Sequence, residues 1–475
     1  MASQALAQPG ASCFFLLLLL IPLSAGCSES GGSGGGGTGG GDYQACGPGS
    51  GGDNPQPENI SGSAGDARIE VTPLDAAADF DNLQWAVDNV APGGTVKLCA
   101  GTFFLGEGSS RKTVVITRGI TIEGVTSDDG FETVIRGGGG SEADFPSSES
   151  GGTLRIENTN DDNPNVFQGL WLREWTSEAI FITASAGFTL KDSRISHPIT
   201  TQSGGTLFIH AIWSTGETAR GDFTVENNIV EFDNYPYGLP HDEQLMGIFF
   251  SNHSDIRIVG NLVQGHDEAF ELIRNGYPTG GGDPYPDAVS RPASEIVIAN
   301  NVLNLTHILP GTWAYNEALL IAANANTSEV RIDNNVITIR GTRMGHALAI
   351  SGEGFRVRNN IINLEQYEGT SSAGAIMIGM GFTFAAVGTT LGGSLHDSVF
   401  ESNIFTGSVS GPAILFNDPG DEPNESHGNV IDVGVSLVML DAEIGLEIAA
   451  GVHDNTFAGD FGTVTDYSMG ANEFR

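Results

Sequence analysis

One short phrase recurs along this chain and limits what it can fold into: apolar, any residue, apolar, two variable residues, Asn, apolar. It reads FTVENNIV from Phe223, IRIVGNLV from Ile256, IVIANNVL from Ile296, VRIDNNVI from Val330 and FRVRNNII from Phe355, with SVFESNIF and GVHDNTFA as looser copies. The repeated Asn falls at 228, 261, 301, 335, 360, 403, 429 and 455, and the shortest intervals are 25 or 26 residues. A period in that range means stacked supersecondary units, each burying its apolar face on its neighbours. The chain is therefore expected to be an all-β solenoid of short strands whose alternate residues point inward. Val, Ile, Leu and Phe of the phrase form the inner columns, and Asn holds one corner. There it is expected to take a left-handed backbone conformation and hydrogen-bond the Asn of the next coil, roughly 4.8 Å away. Gly169 and Ser193 are assigned to the same corner in earlier coils. Counting from Thr113 at roughly 25 to 30 residues per turn gives about a dozen coils.

Ahead of the repeat, Phe80, Leu83, Val87 and Val90 fall on one face of a three-turn helix, with Asp79 or Asp81 available as cap and Pro92-Gly93-Gly94 as the stop. Strands TVKLCAG, TVVIT, ITIEGV and TVIRG follow. This helix and the run LQWAVDNVAPGGTVKLCAGTF resemble the N-terminal cap of the pectin-lyase-like right-handed parallel β-helices. The resemblance spans residues 75 to 475 and implies a single right-handed parallel β-helix with its open apolar end covered by the helix.

The first 26 residues carry no charge, and Cys13 to Pro22 is an apolar run of signal-peptide length, too short to span a bilayer. Leu23-Ser24-Ala25-Gly26-Cys27 resembles a bacterial lipoprotein signal, in which Cys27 becomes the lipidated N-terminus. Such signals carry Lys or Arg before the apolar run, and this one has neither; ordinary secretion with cleavage nearby stays open. Ser28 does not match the Asp that retains lipoproteins at the inner membrane, which implies export to the outer membrane or cell surface. The expected division is signal 1–26, Gly-rich tether 27–65 and β-helix 66–475. Cys46 and Cys99 either pair in an oxidising compartment or stand as free thiols. Across the whole chain, 58 acidic residues against 20 basic ones leave a net charge of −38. A field of that sign repels nucleic acid and attracts cations.

A second, polar column runs beside the Asn phrase. The preceding strands begin SEAIFI, HDEQLMGIFF, HDEAFELI, NEALLIA and GHALAIS, which aligns Glu178, Glu243, Glu268, Glu317 and His346. The coil reading GGTLFIHAI lacks the acid. Stacked carboxylates repel unless water, a cation or a shared proton relieves them. Three readings follow: side chains splayed into solvent; Asp242, Glu243, Asp267 and Glu268 as oxygen ligands of Ca²⁺; or acid–base chemistry on a glycan. Trp175, Tyr235, Tyr237, Trp313, Tyr315 and Tyr367 gather near the same corner, and with Glu317 and His346 they suit a polysaccharide whose rings stack on aromatics. In the catalytic reading Glu243, Asp267 and Glu268 act as acid, base or cation ligands. Arg274 is then a lyase base or a clamp on uronate, and His266 a proton-transfer partner. The polygalacturonase-like and pectate-lyase-like signatures of the superfamily are incomplete: Gly265-His266-Asp267 lacks a second Gly, and Arg340-Gly341-Thr342-Arg343 is not Arg-x-Pro-x-x-Arg. A non-catalytic surface or adhesion module is the rival reading.

Overall fold

The computed structural model describes residues 59–475 apart from 76–77, 108–109, 129, 139–151, 160, 176–177, 199–207, 215–221, 233–243, 252–254, 266–267, 274–294, 308–317, 323–328, 342–345, 368–373, 379–380, 385–388, 393–394, 410, 417–425, 435–439, 443 and 469. In several strands, 268–273 among them, only the course of the backbone is described.

Three long sheets, of 15, 13 and 11 strands, account for almost all pairing. One coil shows how they are built. Phe223–Glu226 enters the largest sheet (A), Ile229–Glu231 the 11-stranded sheet (B) and Gln244–Ser251 the 13-stranded sheet (C), before Ile256–Val259 returns to A. Neighbouring coils pair in parallel and in register: Phe188, Phe223, Ile256, Ile296, Val330 and Phe355 are successive partners in sheet A. All six are buried. Period-two alternation thus produces continuous apolar columns, and the chain is a right-handed parallel β-helix, winding in the sense that twisted strands joined in parallel adopt.

The expected helix at the N-terminal end is present. Helix α1 runs Asp79–Asn89 and buries Leu83, Ala86 and Val87. It also closes an edge. The Gln84 amide donates to the Val115 carbonyl and accepts from the Val115 N–H, both at 2.9 Å, which satisfies the first strand of sheet C where no coil precedes it. Asp79 does not cap the helix; its carboxylate, buried in the fold, accepts from the Leu74 N–H at 2.7 Å and the Phe104 N–H at 3.0 Å. The edge of sheet A is closed by Ile60–Ser61, antiparallel to Arg68–Val71 and ahead of the expected boundary at residue 66. Cys99 is disulfide-bonded, so the free-thiol alternative fails for it; Cys46 lies outside the described residues. Among the described residues no helix is long and apolar enough to cross a membrane.

The amide ladder exists, with two corrections. Asn228, Asn261, Asn301, Asn335, Asn360 and Asn403 are buried at the turn from A to B, each Nδ2 donating to the next Oδ1 at 2.9–3.0 Å. The left-handed residue is the one before: Asn227, Gly260, Asn300, Asn334, Asn359 and Ser402 have φ between +55° and +71°. That separation is physical, since the turn needs one residue to reverse the chain and the next to face inward. Gly169, with φ +66°, therefore aligns with Asp192 rather than with Ser193; Ser193 is the ladder residue, its N–H donating to Asn228 Oδ1 at 3.0 Å. At Gly260 a Cβ would lie 2.5 Å from Asn227 Oδ1, so the left-handed column is itself tightly stacked.

The second correction concerns Asn429 and Asn455. They precede sheet A strands, in register with Ser398 and Asn472, and form a separate ladder at the turn from C to A. The single expected column is two ladders on two corners.

Candidate functional site on sheet C

Sheet C carries the polar column, and its register differs from the expected one. The Cα partners run Glu178 to His210, His210 to Met246 and Met246 to Glu268. Phe270 then pairs with Leu319 and Leu319 with Leu348, which carries the same position on to His346, the partner of Gly374. Glu243 is three residues ahead of the column, and Met246 stands where it was expected. The coil that lacks the acid supplies His210.

The signal that finds this register is a small residue. Each of these positions precedes Ala179, Ala211, Gly247, Ala269, Ala318 or Ala347, and then the register column of Ile180, Ile212, Ile248, Phe270, Leu319 and Leu348. The Cα pairing skips Ala179 and Ala211, yet both are fully buried in the core with the residues that follow them. Two consecutive inward residues mean that the strand is kinked there, and only a small side chain fits the pinched corner. Glu178, on the outer side of this kink, is only 1% exposed. Solvent splaying fails for it: this carboxyl is held inside the fold at the head of its strand.

Three residues further along the same strands, past the kink, lies a ladder of rings. Phe181, Trp213 and Phe249 are successive Cα partners and alternate with the inward Ile180, Ile182, Ile212, Ile248 and Phe250, so they stand on the outer face. The Phe181 and Trp213 centroids are 5.0 Å apart, and those of Trp213 and Phe249 are 6.2 Å apart in an edge-to-face pair. Arg155, in register with Phe181, sets its guanidinium 5.5 Å from that ring and is bound by Glu157 at 2.5 Å. Trp213 and Phe249 are half-buried, whereas Phe181 is covered.

Of the residues expected to form the site, the backbone register places Glu268 and His346 in the column. Tyr235, Tyr237, Asp242, Glu243, His266, Asp267, Arg274, Trp313, Tyr315 and Glu317 lie outside the described residues. Trp175 is corrected. It is fully buried in the core and meets Phe232 edge-to-face at 5.8 Å, so it is unavailable to a ligand. Of the expected Ca²⁺ ligands, Asp242, Glu243 and Asp267 lie outside the described residues, and for Glu268 only the backbone register is described, opposite Met246. Among the described residues no group of three or more His, Cys, Asp or Glu side chains is arranged to hold a metal ion.

No family model matches the chain, and no curated protein matches it. Among solved structures it is similar to a PL6-family polysaccharide lyase from Pseudopedobacter saltans, at 12% identity over 86% of this chain and 92% of that one, with a TM-score of 0.39. It is also similar to a PL6 alginate lyase in complex with a trisaccharide, at 13% identity over 85% of this chain and 87% of that one, with a TM-score of 0.43.

Proposed function

We propose that this is an exported, surface-tethered β-helix protein that acts on polysaccharide, with the glycan lying across the coils of sheet C. One observation carries the reading: the ring ladder stands three residues, about 10 Å, along the same strands from the register position of Glu178, His210 and Met246, a position that continues to Glu268 and His346 in later coils. Trp213 and Phe249, half-buried on the outer face, repeat at the spacing of one coil, a scale that suits successive sugar rings stacking on aromatic side chains, with the covered Phe181 packed against Trp213. His210, Glu268 and His346, at one register position of sheet C, are the residues that accept hydroxyl hydrogen bonds or move protons, whereas Glu178 is buried.

In the catalytic form of this reading Glu268 works with His266, Asp267 and Arg274, the residues just before it and just beyond its strand. For a lyase, the base removes the proton from the carbon beside a uronate carboxyl, the bond to the leaving oxygen breaks as a C=C forms, and the acid protonates that oxygen. For a hydrolase, a carboxyl protonates the leaving oxygen while its partner attacks the sugar or activates water. Met246 interrupts the column, and this favours the second reading, a binding module that holds glycan without cleaving it.

Unsaturated and reducing-end products measured across uronate-rich and neutral glycans, with and without Ca²⁺, test the proposal. The catalytic reading expects product from at least one glycan, reduced about a hundredfold or more in Glu268→Gln with binding retained. Trp213→Ala is expected to weaken binding about tenfold. Binding without product selects the module, and neither binding nor product rejects both. Export and tethering rest on the signal-like N-terminus, and palmitate labelling that survives Cys27→Ser rejects the lipid anchor.

A further inference from the structure

The last coils carry a second stacked feature that the glycan reading does not use. Glu353, His396 and His427 are successive register partners at the turn from C to A, and His453 follows them one coil on. The His396 and His427 rings have centroids 4.5 Å apart, and those of His427 and His453 are 5.6 Å apart and stacked. Each histidine precedes a left-handed residue, Asp397, Gly428 or Asp454, and stands two residues before the second amide ladder of Ser398, Asn429 and Asn455. The imidazoles and that ladder therefore share one corner of the same three coils.

Protonation would place like charges on rings this close, in opposition to the stacking. Among the described residues, few charged or titratable groups face them. Glu353 adjoins His396 in the register, Asp397 follows it, and Asp454 accepts from His453 Nδ1 at 2.8 Å. Desolvation and the neighbouring His427 outweigh Glu353 and Asp397 and hold the His396 imidazole below its ordinary range. His396 Nδ1 is buried without a hydrogen-bond partner, as suits a neutral ring.

We propose that the His396–His427–His453 ladder makes the C-terminal coils a pH-sensitive unit, closed while the rings are neutral and loosened from that end when they take up protons. The sign follows from His396. Its folded-state affinity for protons is below that of the unfolded chain, so its contribution is fully present above about pH 6.5 and is lost as pH falls through and below that value. Coils contact only their neighbours, so the response can stay local. The N-terminal end, closed by α1 and Gln84, carries no such ladder among the described residues.

Hydrogen exchange of the full chain at about pH 7.5 and about pH 5.5, corrected for intrinsic rates, tests this. Protection in Val399–Glu401, Val430–Gly434 and Thr456–Gly459 is expected to fall at least about tenfold at the lower pH, with Phe188–Lys191 and Phe223–Glu226 unchanged. In His396→Gln/His427→Gln the difference between pH values disappears. Equal loss at both ends, or the same C-terminal loss in the variant, overturns the proposal. Should the variant fail to fold, ring titration of the wild-type histidines by NMR decides: His396 titrating at the unfolded-chain value likewise overturns it.

Discussion

Asn334 and Asn335 are adjacent and chemically identical, yet they do different work. Asn335 Oδ1 accepts from the backbone N–H and Nδ2 of Asn301, while its Nδ2 donates to the Ile298 carbonyl and to Asn360 Oδ1. Asn335→Ala leaves those buried groups unpaired and is expected to cost about 3 to 5 kcal/mol, read as a lower denaturant midpoint. Asn334 instead supplies a left-handed turn at φ +58° on the surface. Asn334→Gly is expected to be nearly neutral, and Asn334→Ala to cost about 1 kcal/mol. Equal penalties at the two positions would show that the division of labour is wrong.

Among the elements, α1 does more than cover apolar surface. Its Gln84 side chain completes the hydrogen bonding of a strand that would otherwise be an open sheet edge. Gln84→Ala is expected to lower stability by about 1 to 3 kcal/mol and to expose Val114–Ile116 to hydrogen exchange before the central coils. Loss of protection spread evenly through the coils would mean that the cap and the coils unfold as one unit. The strands of sheet C show a related economy: the kink at Ala179 and Ala211 sets the polar residue before it apart from the inward column after it. A bulky residue there is accommodated only by moving that corner.

Taken whole, the chain carries its net charge of −38 on a structure whose apolar columns are already closed by packing. Self-repulsion among carboxylates opposes the compact state, and salt screens it over about 10 Å at 0.1 M. Raising NaCl from about 0.02 M to about 0.5 M is therefore expected to raise the melting temperature. A fall would instead assign the larger role to surface ion pairs such as Arg358 with Asp333 and Glu401, which salt weakens.

The phrase around Asn228 to Asn403 was enough to infer a solenoid, its inner columns and its amide ladder, because each is set by local periodicity and by one residue type repeating in the same turn. The left-handed position was assigned to the ladder Asn itself, one residue too late, although an Asn, Gly or Ser precedes each ladder Asn and marks it. Register between coils was less legible. Spacing alone put Glu243 beside Glu268 and treated Asn455 as a continuation of Asn403, since loops of different length separate equivalent positions and a sequence does not record how much chain each turn absorbs. Pairing in three dimensions replaced Glu243 with Met246, brought His210 into the column and moved Asn429 and Asn455 to another corner. It also buried Trp175 and gathered the rings of Phe181, Trp213 and Phe249, 32 to 36 residues apart along the chain. The periodic sequence determined which residues face inward and which turn the corner. Only the stacking of one coil on the next decided which side chains meet, because that contact crosses loops whose lengths vary.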